Sequence, residues 1–315
     1  MTSESIPLLV VVGPTASGKT ALALALAERF GGEIINADSR QIYRLMAIGT
    51  AKPSAAERAR VPHHLLDLAW PDESFTLAQY QAAATAAIAD VWARGRLPLL
   101  VGGTGLYVRA VVDGLAIPAV APRPELRAEL EAEARQRGPA ALHARLAALD
   151  PAGAATIDAA NTRRLIRALE VCLVTGRPFS EQRGARPTPY DPLPLGLNTA
   201  RERLYAWADA RVDAMLAAGL LDEVRTLVGR GYAWSLPALS SLGYHELGAH
   251  LRGELTLAEA TARLRLATHA LIRRQLTWFR PDARIRWLDA ADPALAATAG
   301  ALVADWLAAH SAQPD

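Results

Sequence analysis

The segment Gly13-Pro14-Thr15-Ala16-Ser17-Gly18-Lys19-Thr20 constrains this chain more than any other. It satisfies G-x-x-x-x-G-K-[ST], the phosphate-binding loop, directly after an apolar run and directly before a run of good helix formers. Gly13 and Gly18 permit the tight backbone path. Successive N–H groups and the helix N-terminus then face an anion. In this reading Lys19 neutralises a terminal phosphate and Thr20 offers its hydroxyl to Mg²⁺. The motif indicates a di- or triphosphate and leaves the reaction open.

Around it, strand and helix signals alternate. Residues 8–12 read as a strand, 19–30 as a helix, 33–37 as a second strand, 75–94 as a long helix and 98–101 as a third strand. That order implies βαβ units and a parallel sheet covered on both faces. From about 124 to 176 the pattern is almost purely helical, rich in Ala, Leu, Glu and Arg. Residues 177–194 carry five prolines and a glycine and read as a connection or hinge. A short return strand is expected at 195–197 and another at 285–288. The expected class is α/β: a P-loop NTPase-like parallel sheet core with a helical insertion domain. The core takes 1–120 and 195–315, and the insertion 121–194.

Composition excludes some classes. With 51% hydrophobic and 21% charged residues, the chain has the make-up of a folded globule. A net charge of +2 does not advertise nucleic-acid binding, so any basic surface must be local. The single cysteine, Cys172, rules out an internal disulfide and a cysteine-based zinc site, and its apolar neighbours make it a packing residue. The apolar stretch Ile6–Val12 is too short to span a bilayer and has no basic leader before it, so a cytoplasmic location and no membrane association are expected.

The strand ends choose the chemistry. The second strand delivers Asp38-Ser39-Arg40-Gln41 to the edge where open α/β sheets hold ligands. Asp38 there is open to three readings: Mg²⁺ ligand, general base, or cap of the following turn. The third strand delivers Gly102-Gly103-Thr104-Gly105, read as glycines that let a ligand approach the backbone beside the Thr104 hydroxyl. His63 and His64 are adjacent, so on a strand they point to opposite faces, a poor arrangement for one metal.

GPTASGKT (13–20), DSRQ-IY (38–43), GTAKP (49–53), VPHHLLD (61–67) and LVGGTGLY (100–107), in this order, resemble the tRNA dimethylallyltransferase (tRNA isopentenyltransferase) family. NTRRLIRALE (161–170), GLLDEV (219–224), LGYHE (242–246) and RRQLTWFR (273–280) agree, so the resemblance runs from about 8 to 288. It implies transfer of a dimethylallyl group from dimethylallyl diphosphate to N6 of the adenosine 3′ of the anticodon, with release of diphosphate. The absence of a C-terminal zinc finger points to the bacterial type. The resemblance assigns Asp38 to the accepting amine, with Thr104 beside it. It gives the diphosphate to Gly13, Pro14, Thr15, Ala16, Ser17, Gly18, Lys19, Thr20 and Arg211, with Mg²⁺ at Thr20. It matches Asp38, Ser39, Arg40, Gln41, Thr104, Arg127, Arg163, Arg164, Arg167, Gly243, Tyr244, Arg273, Arg274, Gln275, Thr277, Trp278 and Arg280 to segments that contact the tRNA anticodon stem-loop. Trp207 stands where relatives often carry another arginine. A monomer is expected.

The chemistry is coherent. An exocyclic adenine amine is a weak nucleophile, so attack needs positioning and a stabilised leaving group. The target base must also leave its stack. Three rivals share part of the pattern: a prenyltransferase of free adenylate, a small-molecule P-loop kinase, and a regulatory nucleotide-binding module. The basic helical segments argue against the first two, which need no RNA clamp. The intact Lys19, Thr20, Asp38 and Thr104 set argues against the third.

Overall fold

The computed structural model describes residues 5–311. The chain divides into two compact units, one formed by 1–112 with 189–315 and the other by 113–188. Among the described residues no helix is long and apolar enough to cross a membrane.

The first unit opens with β1 (Ile6–Val12), α1 (Lys19–Phe30), β2 (Gly32–Asn36), α2 (Ala55–Arg60), β3 (His63–His64), α3 (Leu77–Ala93), β4 (Leu97–Gly102) and α4 (Gly105–Val112). Every residue of β1 beyond Ile6 is buried. Leu8, Val10 and Val12 face the core beneath α3 and α4, while Leu9 and Val11 face the core beneath α1. A strand buried on both faces needs this unbroken apolar run, and each such side chain contributes about 1.5–3 kcal/mol on burial. Helix α3 starts at Leu77, inside the expected 75–94, because Thr76 and Gln79 form a reciprocal capping box.

The second unit holds β5 (Leu115–Ala116), α5 (Pro124–Arg137), α6 (Pro139–Leu149), α7 (Pro151–Thr156), α8 (Thr162–Thr175) and β6 (Gly184–Ala185). Its helices close over a core of Leu130, Leu142, Leu146, Leu165 and Leu169, with Cys172 buried among them. Burial raises the Cys172 thiol above its ordinary range, as suits a packing residue. The two short strands pair antiparallel at the base of the unit.

The chain returns to the first unit with β7 (Tyr190–Asn198), α9 (Arg201–Ala217), α10 (Leu220–Gly229), α11 (Tyr244–Leu251), α12 (Leu257–Phe279), β8 (Arg286–Asp289) and α13 (Leu295–Ser311). The sheet order is β3-β2-β4-β1-β7-β8, with every pair parallel. The proline-rich stretch is therefore not all connection: residues 190–194 already belong to β7, and Pro192 and Pro194 pair in register with Leu8 and Val10. The strand tolerates them because β8 pairs only from Leu195 onward, which leaves an open edge for prolines two residues apart.

Antiparallel helices α9 and α12 are joined by a regular polar ladder. Arg265 meets Asp213, His269 Nε2 lies 2.8 Å from Asp209 Oδ1, and Arg273 Nη1 donates to the Tyr205 hydroxyl at 2.9 Å. The rungs step four residues along each helix, the spacing that keeps side chains on one face.

Candidate active site

The C-terminal ends of β1, β2 and β4 meet in register, with Val12 opposite Gly102 and Asn36 opposite Val101. Above them lies a cavity of about 870 Å³, lined by the phosphate loop, the 38–41 turn, Thr104, and residues of α9 and α12. That is roomy enough for two small ligands by the usual scale of pockets, roughly 300–1,000 Å³.

The phosphate loop takes its shape from backbone rules. Gly13 has φ +145°, and a Cβ there would stand 2.5 Å from the Leu197 carbonyl oxygen, so only glycine fits beside β7. Ala16 sits in the left-handed region at φ +64°, a local strain of the kind that accompanies ligand loops. The Ser17 hydroxyl donates to Pro14 O at 2.8 Å, and Lys19 Nζ donates to the same carbonyl at 2.6 Å. Helix α1 begins after Gly18 with no side-chain cap and no acidic residue in its first turn, so its amide donors and positive dipole end stay open to an anion. Burial, then the nearby Arg211 charge, hold the Lys19 pKa down to about 7, with Asp38 acting the other way. Burial also lowers Arg211, which sits half-buried on α9 with no ion pair among the described residues. Two half-buried cations lining one cavity repel each other, and an incoming diphosphate relieves that repulsion.

Thr20 lines the same cavity, and its hydroxyl has no hydrogen-bond partner among the described residues. A free hydroxyl beside an anion cradle, in a cavity that Asp38 also lines, suits a hard divalent cation such as Mg²⁺.

Asp38 is held by its neighbours without being used up. Its N–H donates to Asn36 Oδ1 at 3.0 Å, and its Oδ1 accepts the Arg40 N–H at 2.8 Å. Oδ2 has no partner among the described residues. The Thr104 hydroxyl accepts the Ser39 N–H at 3.0 Å, which locks the two strand-end turns together. Asp38 and Thr104 thus share one wall.

The remaining expected contacts divide. Arg274 is exposed, lines the cavity and has no partner among the described residues. Trp278 is 45% exposed, and Thr277 and Arg280 also face solvent. Arg273 is exposed but its guanidinium already serves the Tyr205 rung. Arg40 Nη1 donates to Pro237 O at 2.9 Å, and Gln41 Nε2 donates to the Thr50 and Ala51 carbonyls at 3.1 Å, so both also brace loops. Two assignments are corrected. Tyr244 is fully buried with its hydroxyl 2.6 Å from Glu223 Oε1, so its side chain is not presented to RNA. Gln275 is only 9% exposed and spends its carboxamide inside the protein, accepting the Thr15 N–H at 2.8 Å and donating to Gly103 O at 3.0 Å. Gly243, with φ +87°, opens α11 and donates its N–H to Glu246. The glycines around Thr104 also serve protein contacts, while Gly102 and Gly103 line the cavity. A Cβ on Gly102 would lie 2.1 Å from Ala37 O, and one on Gly103 2.2 Å from Gln275 Nε2.

In the helical unit, Arg163 and Arg164 are exposed. Arg127 and Arg167 instead converge on Glu170, which is fully buried: Arg127 Nη2 and Arg167 Nη1 each lie 2.7 Å from its Oε2. Burial pushes the Glu170 pKa up, but Arg127, the Arg123 N–H and Arg167 outweigh it and hold the carboxyl at about 2. The two histidines part as expected. His64 bonds Glu33 at 2.7 Å on one side of β3, and His63 bonds Val61 O at 2.8 Å and lines the cavity on the other.

Glu223 was not anticipated as a site residue. It accepts the N–H groups of Ala47, Ile48 and Gly49, so it shapes the loop whose carbonyls hold Gln41. Its sequence signals are its place in GLLDEV (219–224) and in the acidic first turn of α10. Trp207 lines the cavity and packs near Ala16 of the phosphate loop, an apolar wall where an arginine was expected.

Known proteins place this arrangement. The IPP transferase family matches residues 41–282, and the isopentenyl transferase family matches residues 6–67. A tRNA dimethylallyltransferase of Roseiflexus sp. (strain RS-1) is 56% identical over 96% of this chain and 99% of its own length. The tRNA isopentenylpyrophosphate transferase of Bacillus halodurans, solved as a crystal structure, superposes with a TM-score of 0.73 at 41% identity, covering 97% of this chain and 98% of that one. A eukaryotic dimethylallyltransferase captured acting on tRNA gives a TM-score of 0.83 at 27% identity, covering 96% of this chain and 80% of that one. With a phosphate loop, an aligned carboxylate and a family match over most of its length, the chain belongs to the IPP transferase family.

Proposed function

We propose that this protein is a tRNA dimethylallyltransferase: it transfers a dimethylallyl group from dimethylallyl diphosphate to N6 of the adenosine 3′ of the anticodon. The observation that carries the reading is a cavity lined by both the phosphate loop and Asp38, whose Oδ2 has no hydrogen-bond partner among the described residues. The relatives' activity on tRNA supports it over a free-nucleotide acceptor or a kinase.

The bond from N6 to the allylic carbon forms as the carbon–oxygen bond to diphosphate breaks, and the electron pair leaves with the diphosphate. Lys19, Arg211 and the amide groups of α1 stabilise that growing charge. Thr20 would hold a Mg²⁺ ion, which would supply further charge neutralisation. Asp38 orients the amine and takes the proton that N6 loses. Thr104 fixes the Asp38–Ser39 turn. Arg274 and Trp278 offer charge and a ring face to RNA near the cavity, and Arg163 and Arg164 offer charge on the helical unit.

The test is mass spectrometry of an anticodon stem-loop incubated with dimethylallyl diphosphate and Mg²⁺. The expected product is one dimethylallyl group on the adenosine 3′ of the anticodon, with AMP a poor acceptor. Equal prenylation of AMP would replace this reading with the free-nucleotide one.

A further inference from the structure

Helix α12 touches the site in two ways. One face carries Arg274 and Trp278 into reach of solvent, and the other inserts Gln275 between the phosphate loop and the Gly103 turn. The Gln275 carboxamide has one oxygen and one amino group, and each is committed. The oxygen holds Thr15 of the loop, and the amino group holds Gly103, one residue before Thr104. The approach is close enough that a Cβ at Gly103 would displace the Gln275 carboxamide. Three residues along the helix, the Trp278 ring lies against Gly105, where a Cβ would stand 1.8 Å from Trp278 Cδ1. Thr104 is therefore gripped on both sides by α12, through Gln275 before it and Trp278 after it.

We infer that Gln275 is a positioning residue that couples the two substrates: RNA docked on the exposed face of α12 pre-orders the phosphate loop, and diphosphate on the loop pre-orders α12. The inference rests on the proposed tRNA reading. The physical route is shared ordering. Either ligand stiffens its own end of the closed bridge Thr15–Gln275–Gly103, and the second ligand bears less of that entropy cost. Such coupling is reciprocal by thermodynamic necessity. A side chain that served only the fold would leave the two affinities independent.

The experiment measures inorganic diphosphate with Mg²⁺ and an anticodon stem-loop, each alone and in the presence of the other, by calorimetry. In the wild type each ligand should tighten the other by about fivefold or more, the lower end of ordinary coupling. In Gln275→Leu the ratio should fall close to one. Gln275→Glu keeps an acceptor for the Thr15 N–H and loses the donor to Gly103, so its ratio should be intermediate. A second readout needs no variant: the Thr15 and Gly103 amide resonances should shift when the stem-loop binds without diphosphate. Equal affinities with and without the partner ligand in the wild type overturn the inference. So does undiminished coupling in Gln275→Leu, or amide resonances that ignore the stem-loop. A stem-loop that does not bind the wild type at all overturns the tRNA reading itself.

Discussion

Glu170 in the helical unit and Asp38 in the α/β unit are both carboxylates in arginine-bearing motifs, and the molecule uses them in opposite ways. Glu170 is fully buried and satisfied by the Arg123 N–H, Arg127 and Arg167. Asp38 has one oxygen committed to the Arg40 N–H and the other unpartnered among the described residues. The arginines follow suit. Arg127 and Arg167 are struts, whereas Arg211 and Arg274 face the cavity with no ion pair among the described residues. A charge spent on a buried partner has little left for a ligand, and a charge left unspent needs a ligand to justify it.

The largest effect should come from the unspent carboxylate. Asp38→Asn keeps an oxygen for the Arg40 N–H and removes the base, so the single-turnover rate should fall about a hundred- to ten-thousand-fold. RNA affinity should stay within a few-fold. A near-wild-type rate would erase the contrast with Glu170. Next comes Arg211→Ala. Losing a charged hydrogen bond worth about 1.5–3 kcal/mol should weaken dimethylallyl diphosphate binding roughly ten- to a hundredfold. Titration of donor against each variant checks this, and the stem-loop affinity should change far less.

Smaller effects should separate the two kinds of arginine. Arg167→Ala leaves Glu170 short of a partner and should destabilise the helical unit by about 1–3 kcal/mol in denaturant unfolding. Its effect on RNA binding should follow from that loss and not from a lost phosphate contact. The pH dependence has a definite sign. The Glu170 pKa is depressed from 4.5 to about 2, so its contribution is complete above about 4.5 and fades as pH falls toward 2. Glu170→Gln should flatten that part of the stability profile. The smallest effect belongs to Arg163→Ala. It should leave unfolding unchanged and lower the salt slope of RNA binding by about 0.7–0.9 of a unit, one phosphate contact. An Arg167→Ala variant that behaved like Arg163→Ala would collapse the distinction.

Much of the site was legible because its chemistry is local. The phosphate loop needs Gly13 and Gly18, Lys19 and Thr20, and a strand-to-helix turn, all within a short run of sequence. Asp38 and Thr104 were legible through their place at strand ends, since β2 and β4 read plainly from apolar runs. The arginines of 161–170 were harder. Arg163 and Arg167 lie four residues apart, the spacing that shares a helix face, but Arg167 pairs with Glu170, three residues on and buried. Gln275 lies in a basic, aromatic segment and reads as an RNA contact, yet its partners Thr15 and Gly103 are far away along the chain. The prolines of β7 read as punctuation because an open strand edge is a property of the sheet.

The sequence alone determined the anion cradle, the parallel sheet around it and the polar residues at its strand ends. Those depend on backbone conformations and periodicities that a few neighbouring residues impose. Only the tertiary structure decided which charges are free and which are spent, and that glycines 103 and 105 make room for α12. Burial and pairing arise between residues far apart in the chain. A side chain's partner, more than its type, sets whether it braces the fold or waits for a substrate.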